Sequence, residues 1–231
     1  EDPHQWRRPR SWVVSASYVA PIAGTPFALV AYGVHSDSDV AAVGGINVLG
    51  SGDIIGLRGI YNFGKGAWRH SLTAGIDYKN FKEDLVLGPE FGRTPIDYFP
   101  FTLQYGLNHN TAKHDLSFNA TVNFGLRGVD ADEREFRLKR YNASASWIAL
   151  RLEADYAHRF ANDIGVRLRL SGQLADEPLI SNEEFSIGGL DSVRGYLESK
   201  ELGDLGASGQ LDLLSPSLAK LIGGPLDEWR F

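Results

Sequence analysis

The chain has 231 residues, 43% of them hydrophobic, and a formal net charge of -6; that is enough for one large domain or two small ones. The acidic balance and the lack of Lys/Arg runs argue against a nucleic-acid partner. With no cysteine, neither a disulfide framework nor a thiolate metal site is possible.

The chain opens with EDPHQWRRPR, with neither an initiator methionine nor an apolar signal region, and closes on DEWRF, an amphipathic run that stops as it starts. Both ends read as cuts in a longer protein, so the missing signal peptide says nothing about location. The first apolar run, Tyr18 to Val34, is uncharged but interrupted by Pro21, Gly24 and Pro26. It is short for a helical span, and the prolines mark a turn between two strands, near 11–20 and 26–36.

From there the dominant signal is period two. Strands are predicted near 53–62, 69–80, 96–108, 114–127, 141–158, 164–175 and 206–215, nine in all, with a tenth beginning at Trp229. In 114–127, Leu116, Phe118, Ala120, Val122, Phe124 and Leu126 share one face, while Asp115, Ser117, Asn119, Thr121, Asn123 and Arg127 share the other. In 164–175, Val166, Leu168, Leu170 and Leu174 oppose Arg167, Arg169, Ser171 and Gln173. In 141–158, Leu150, Leu152, Ala154 and Tyr156 oppose Arg151, Glu153 and Asp155, but Trp147 falls on the same face as Arg151. A bulge, or a strand rising beyond the apolar zone, accounts for that parity.

The connections alternate in length. PIAGTP, GKGAW, NTAK and ANDI are short; 37–52, 81–95, 128–140 and 176–205 are long and polar. Short turns at one end and long loops at the other are the pattern of an outer-membrane β-barrel, and aromatics such as Trp12, Phe63, Trp68, Phe99 and Phe160 cluster near strand ends. A soluble sandwich also alternates. Strands of ten or more residues exceed the usual five or six, and match the roughly 9–11 that a tilted strand needs to cross a bilayer. The predicted class is all-β, an antiparallel transmembrane barrel segment. Asn119, Asn123, Arg151, Glu153, Asp155, Arg167, Arg169 and Gln173 would line a wet lumen, and the apolar partners would meet lipid.

No enzyme motif survives inspection. The six histidines fall in different segments without metal-ligand spacing. Ser36 to Asp39 is not followed by a calcium-binding loop. Gly64-Lys65-Gly66 lacks the rest of a phosphate loop, and DADERE at 130–135 reads as a solvated loop tip. The expectation is therefore a protein with no catalytic residues, cofactor, metal site or small-molecule substrate.

One connection is far longer than turning requires. Its core, FSIGGLDSVRGYLESKELGD at 185–204, is preceded by PLISNEE and followed by GASGQLDLLSP. It resembles the signature loop of two-partner secretion translocators, the haemolysin secretion/activation proteins. GVHSDSDVAAVGGINVLGSGDI and NFGLRGVDADEREFRLKRY are similar to the same family, so the likeness runs through nearly the whole chain.

The resemblance implies polypeptide-transport-associated (POTRA) domains followed by a sixteen-stranded barrel. The loop would be the sixth extracellular one, folded into the lumen. The nine strands would be numbers four to twelve, residues 1–231 would form one partial barrel domain, and Trp229 to Phe231 would open strand thirteen. The signature residues would be Gly188, Gly189, Asp191, Val193, Arg194, Gly195 and Tyr196, with Asp212 the wall partner of Arg194. The implied function is export of an unfolded partner protein across a bacterial outer membrane without nucleotide hydrolysis. The alternatives are a barrel-assembly factor of the same superfamily, a passive porin, or a soluble carbohydrate-binding sandwich.

Overall fold

A computed structural model describes residues 12–37, 40–43, 46–49, 51–87, 90–126, 128, 132–160, 164–189, 192–197 and 199–216, with backbone alone at 40–43, 46–49, 83–87 and 90–94. Asp191 and the run beginning at Trp229 lie outside the described residues. In chain order the elements are β1 (Val13–Pro21), β2 (Phe27–Ser36), β3 (Val40–Val43), β4 (Ile46–Leu49), β5 (Gly52–Lys65), β6 (Trp68–Leu87) and β7 (Glu90–Tyr98). They continue with β8 (Phe101–Asn110), β9 (His114–Gly125), α1 (Glu133–Lys139), β10 (Trp147–Arg159), β11 (Gly165–Ala175), β12 (Phe185–Ile187), β13 (Glu201–Gly203) and β14 (Gly206–Leu214).

Nine strands form one antiparallel path, β1-β2-β5-β6-β8-β9-β10-β11-β14, with β7 paired to β6. Each neighbour along the path follows its partner through a short turn or a long connection, so the sheet is a meander, open between β1 and β14. No helix among the described residues is long and apolar enough to cross a membrane; a barrel wall crosses with strands.

The run read as one strand over 96–108 is divided at Phe99–Pro100 into β7 and β8. Its register against β6 does not slip: Lys79 faces Tyr98 and Ile76 faces Phe101. Pro100 has no N–H to donate, though its carbonyl still accepts from the Asp77 N–H at 3.0 Å. The segments 37–52 and 81–95, expected as polar loops, instead carry paired strands. β3 pairs with β4, and the outer half of β6 pairs with β7.

The strand expected over 141–158 begins only at Trp147. Before it lies α1, where a charged loop tip was expected. Asp132 caps the helix by accepting from the Arg134 N–H at 2.8 Å. Glu133 and Glu135 occupy its first turn and Arg137 and Lys139 its last, the order that complements the helix dipole. The Trp147 parity comes from no bulge, since pairing to β9 runs unbroken from Trp147↔Gly125 to His158↔His114. The strand rises out of the apolar zone instead.

Trp147 is 1% exposed and belongs to a core at the long-loop ends of the strands. That core holds Val34, Ile54, Phe81, Ile96, Tyr98, Phe136 of α1, Ala149, and Leu179 and Ile180 of the long connection. Elsewhere the apolar face is bare: Ile55, Leu57, Leu103, Leu211 and Leu213 are all more than half exposed.

Candidate functional site: the long connection and the polar face

Alternation carries the expected polar residues to one face, where the register opposes them directly. Asn119 faces Glu153, Arg151 faces Gln173 and Asp155 faces Arg169. Arg167 faces Asp212. Thr102 donates to Asn123 Oδ1 at 2.8 Å and Gln104 to Asn119 Oδ1 at 3.3 Å. Arg151 Nε donates to Gln173 Oε1 at 2.5 Å. Arg167 pairs with Asp155, its Nε 3.0 Å from Oδ1, and Arg169 Nη2 reaches Asp212 Oδ2 at 3.1 Å. Glu153 is exposed between Asn119 and Ser171. Interleaved cations and anions suit a wet surface: Arg167 and Arg169 have counter-ions in reach without full desolvation.

The connection after β11 packs against this face. At its root Asp176 Oδ1 accepts from the Ile148 N–H at 2.7 Å, tying the loop to β10. Asp204 Oδ1 accepts from the Leu179 N–H at 2.9 Å and from Arg140 Nη1 at 2.5 Å. Arg140 also meets Glu184 at 2.8 Å. Hydrogen bonding to Asp204 holds the Arg140 guanidinium above its usual pKa, and burial pushes the Glu184 carboxyl above the usual carboxylate range.

Glu183, in a short 3-10 turn at Ser181–Glu183, is the residue that the sequence reading missed. Its side chain is 1% exposed. Its Oε1 accepts from Lys79 Nζ at 2.5 Å and Tyr98 OH at 2.7 Å, and its Oε2 lies 3.6 Å from Arg151 Nη2. Its carbonyl accepts from Arg151 Nη2 at 2.8 Å and Gln173 Nε2 at 3.0 Å. The paired acids in SNEEF, following the apolar Leu179 and Ile180, were the available signal. A second missed cluster lies on the same sheet. Arg58 forks onto both oxygens of Asp77 at 2.6 and 2.8 Å, and Tyr32 OH donates to Asp77 Oδ1 at 2.7 Å. This bidentate geometry is the strong form of a carboxylate pair.

Beyond the root, β12 and β13 pair Phe185 to Gly203 and Ile187 to Glu201. The backbone then reverses. The Ser192 hydroxyl donates to the Gly188 carbonyl and accepts its N–H, both at 2.8 Å, and the Gly189 N–H donates to the Tyr196 carbonyl at 3.2 Å. Gly188 has φ +127°, and a Cβ there would sit 2.2 Å from the Leu197 carbonyl oxygen. Gly195, beside the arginine, has φ +93°. Both conformations disfavour any side chain. Val193 and Tyr196 are exposed on this tip.

Arg194 Nη2 lies 3.4 Å from Asp212 Oδ1. Gln173, at the root, is opposite Gly206, and Asp212 is opposite Arg167 near the other end of β11. The tip has therefore turned back along about 20 Å of the wall. Asp212 holds Arg169 and Arg194 together, and Gln210 donates to it at 3.3 Å.

Comparison with known proteins bears on the fold and the family. No curated protein matches the chain. Among solved structures it is similar to CdiB from Escherichia coli, with a TM-score of 0.64 at 17% identity over 87% of this chain. The chain spans 38% of the CdiB chain, and the likeness is one of fold. Residues 98–224, more than half of the sequence and including the whole long connection, match the family described as haemolysin secretion/activation protein ShlB/FhaC/HecB. On that match, the chain belongs to the haemolysin secretion/activation family.

Proposed function

We propose that this chain forms part of the barrel wall of a bacterial outer-membrane translocator that exports a partner protein. Its nine-strand path corresponds to strands four to twelve of a sixteen-stranded barrel, and the polar face lines the lumen. The observation that carries the reading is the long connection turned back along that face, with Arg194 at 3.4 Å from Asp212. A lumen lined by alternating Arg and Asp side chains can hydrate an unfolded chain without binding it tightly, since exposed pairs exchange partners at small free-energy cost. Family membership supports the two-partner form of secretion. The signature residues Gly188, Gly189, Val193, Arg194, Gly195 and Tyr196, with Asp191 among them in sequence, shape the inward loop. Transport needs neither nucleotide nor metal in this reading.

The test compares the exported proteins of the native host with and without the full-length protein. Loss of one or a few large exported polypeptides is expected, restored by the wild type and not by Arg194→Ala. An unchanged export profile, with a general fall in other outer-membrane barrels, would instead identify a barrel-assembly factor.

A further inference from the structure

We infer that the position of the long loop is set at its root by Glu183 rather than at its tip by Arg194, which makes Glu183 a positioning residue for translocation. The link to translocation rests on the function proposed above; the claim about loop position does not.

The two anchors differ in kind. Glu183 is 1% exposed and Lys79 13%, and donors from β6, β7, β10 and β11 converge on that one loop residue through Lys79, Tyr98, Arg151 and Gln173. Removing its carboxylate strands Lys79 in a nearly dry site, while Arg151 keeps its bonds to Gln173 and the Glu183 carbonyl; loss of one member of a buried pair is strongly unfavourable. The Arg140 clasp on Asp204 and Glu184 closes the same root from the α1 side.

The tip is the opposite case. The Arg194 side chain is 57% exposed, and its partner Asp212 already has Arg169 at 3.1 Å. When Arg194 leaves, Asp212 keeps a counter-ion, so release leaves no uncompensated charge and costs little. Between root and tip the loop is braced internally by the β12–β13 ladder and the Gly188–Ser192 exchange. The root therefore dictates where the tip lies, and the tip pair is the detachable contact.

Residues 1–231 have no cysteine, so a Val193→Cys reporter in the full-length protein, with any cysteine outside these residues replaced by serine, is a unique thiol on the tip in intact cells. Its rate of modification by a bulky, membrane-impermeant PEG-maleimide reads loop position. Glu183→Ala is expected to speed labelling by at least about tenfold, as for a buried pair that loses a member. Arg194→Ala is expected to speed it by at most about fivefold, as for an exposed pair. Heat-modifiable mobility on gels checks that each barrel is folded. If Glu183→Ala does not fold, Glu183→Gln carries the test, since it keeps the volume and an acceptor for Tyr98 while removing the charge. Labelling in the folded Glu183 variant no faster than in Arg194→Ala would overturn the inference. Export is scored separately: a wild type that exports nothing would sink the proposed function and leave the labelling result intact.

Discussion

The two ends of this sheet are built on different physics. At the long-loop end Trp147, Tyr98, Phe81, Ile54 and Phe136 are each 1% exposed, packed beneath α1 and the root of the long connection. Tyr98 meets Phe136 edge-on with centroids 5.5 Å apart. At the short-turn end no such cover exists among the described residues, and aromatic rings pack along and across strands on the outside instead. Phe27 lies 4.9 Å from Tyr61, Tyr61 5.5 Å from Phe63, and Trp68 4.1 Å from His109. The first end resembles the core of a water-soluble protein and draws stability from burial against its own chain. The second leaves its apolar surface for something else to cover, as an interfacial girdle does in lipid. One strand, β10, passes from one regime to the other, and this is why its parity changes meaning at Trp147 while its register does not.

The largest expected effect lies in the core. Trp147→Ala should destabilise the folded protein by about 3–5 kcal/mol, the cost of emptying a large buried aromatic site, read from denaturant titration in detergent. An effect below 1 kcal/mol, on the order of a surface change, would mean that the loop-end core is not a packed one. Next comes the outer face midway along β9. Phe118→Arg should cost about 2–4 kcal/mol in a bilayer and the adjacent Asn119→Arg far less, compared by assembly yield and by refolding into lipid. Equal tolerance would remove the distinction between the two faces. The smallest effect belongs to the loop tip: Arg194→Ala should change stability by only about 0–1 kcal/mol while lowering export. A large loss of stability would make the tip a structural strut.

The strands were legible where the two faces differ in chemistry along their full length. Leu116 to Leu126 and Val166 to Leu174 alternate, interrupted only by Gly125 and Gly172, and β9 and β11 follow those runs closely. Alternation with Leu211 and Leu213, both exposed, fixes the face on which Asp212 sits; that Arg194 reaches toward it was an expectation from the family resemblance, not from the pattern. Helix α1 was not recognised because DADEREF has too few apolar residues for a 3.6 period. Its evidence was instead in the ends, Asp132 three residues before Glu135 and cations in the last turn. The long connections hid strands for a different reason: VAAV and INVL are largely apolar but do not alternate, and pairing above the apolar zone needs no alternation. Glu183 was the deepest omission. Its partners Lys79 and Tyr98 lie 104 and 85 residues away in sequence, so no local pattern distinguishes this buried carboxylate from Glu184 beside it.

The central claim is that one face of the sheet meets water and an inward loop while the other meets lipid. Single cysteines placed one at a time from Leu116 to Phe124, in the full-length protein reconstituted in bilayers, test it most directly: residues 1–231 hold no thiol, and any cysteine elsewhere in the protein is first replaced by serine. Positions 117, 119, 121 and 123 should react with a water-soluble thiol reagent, and fluorophores at 116, 118, 122 and 124 should be quenched by lipid-attached quenchers. Uniform reactivity along the strand, or the opposite parity, would contradict the account.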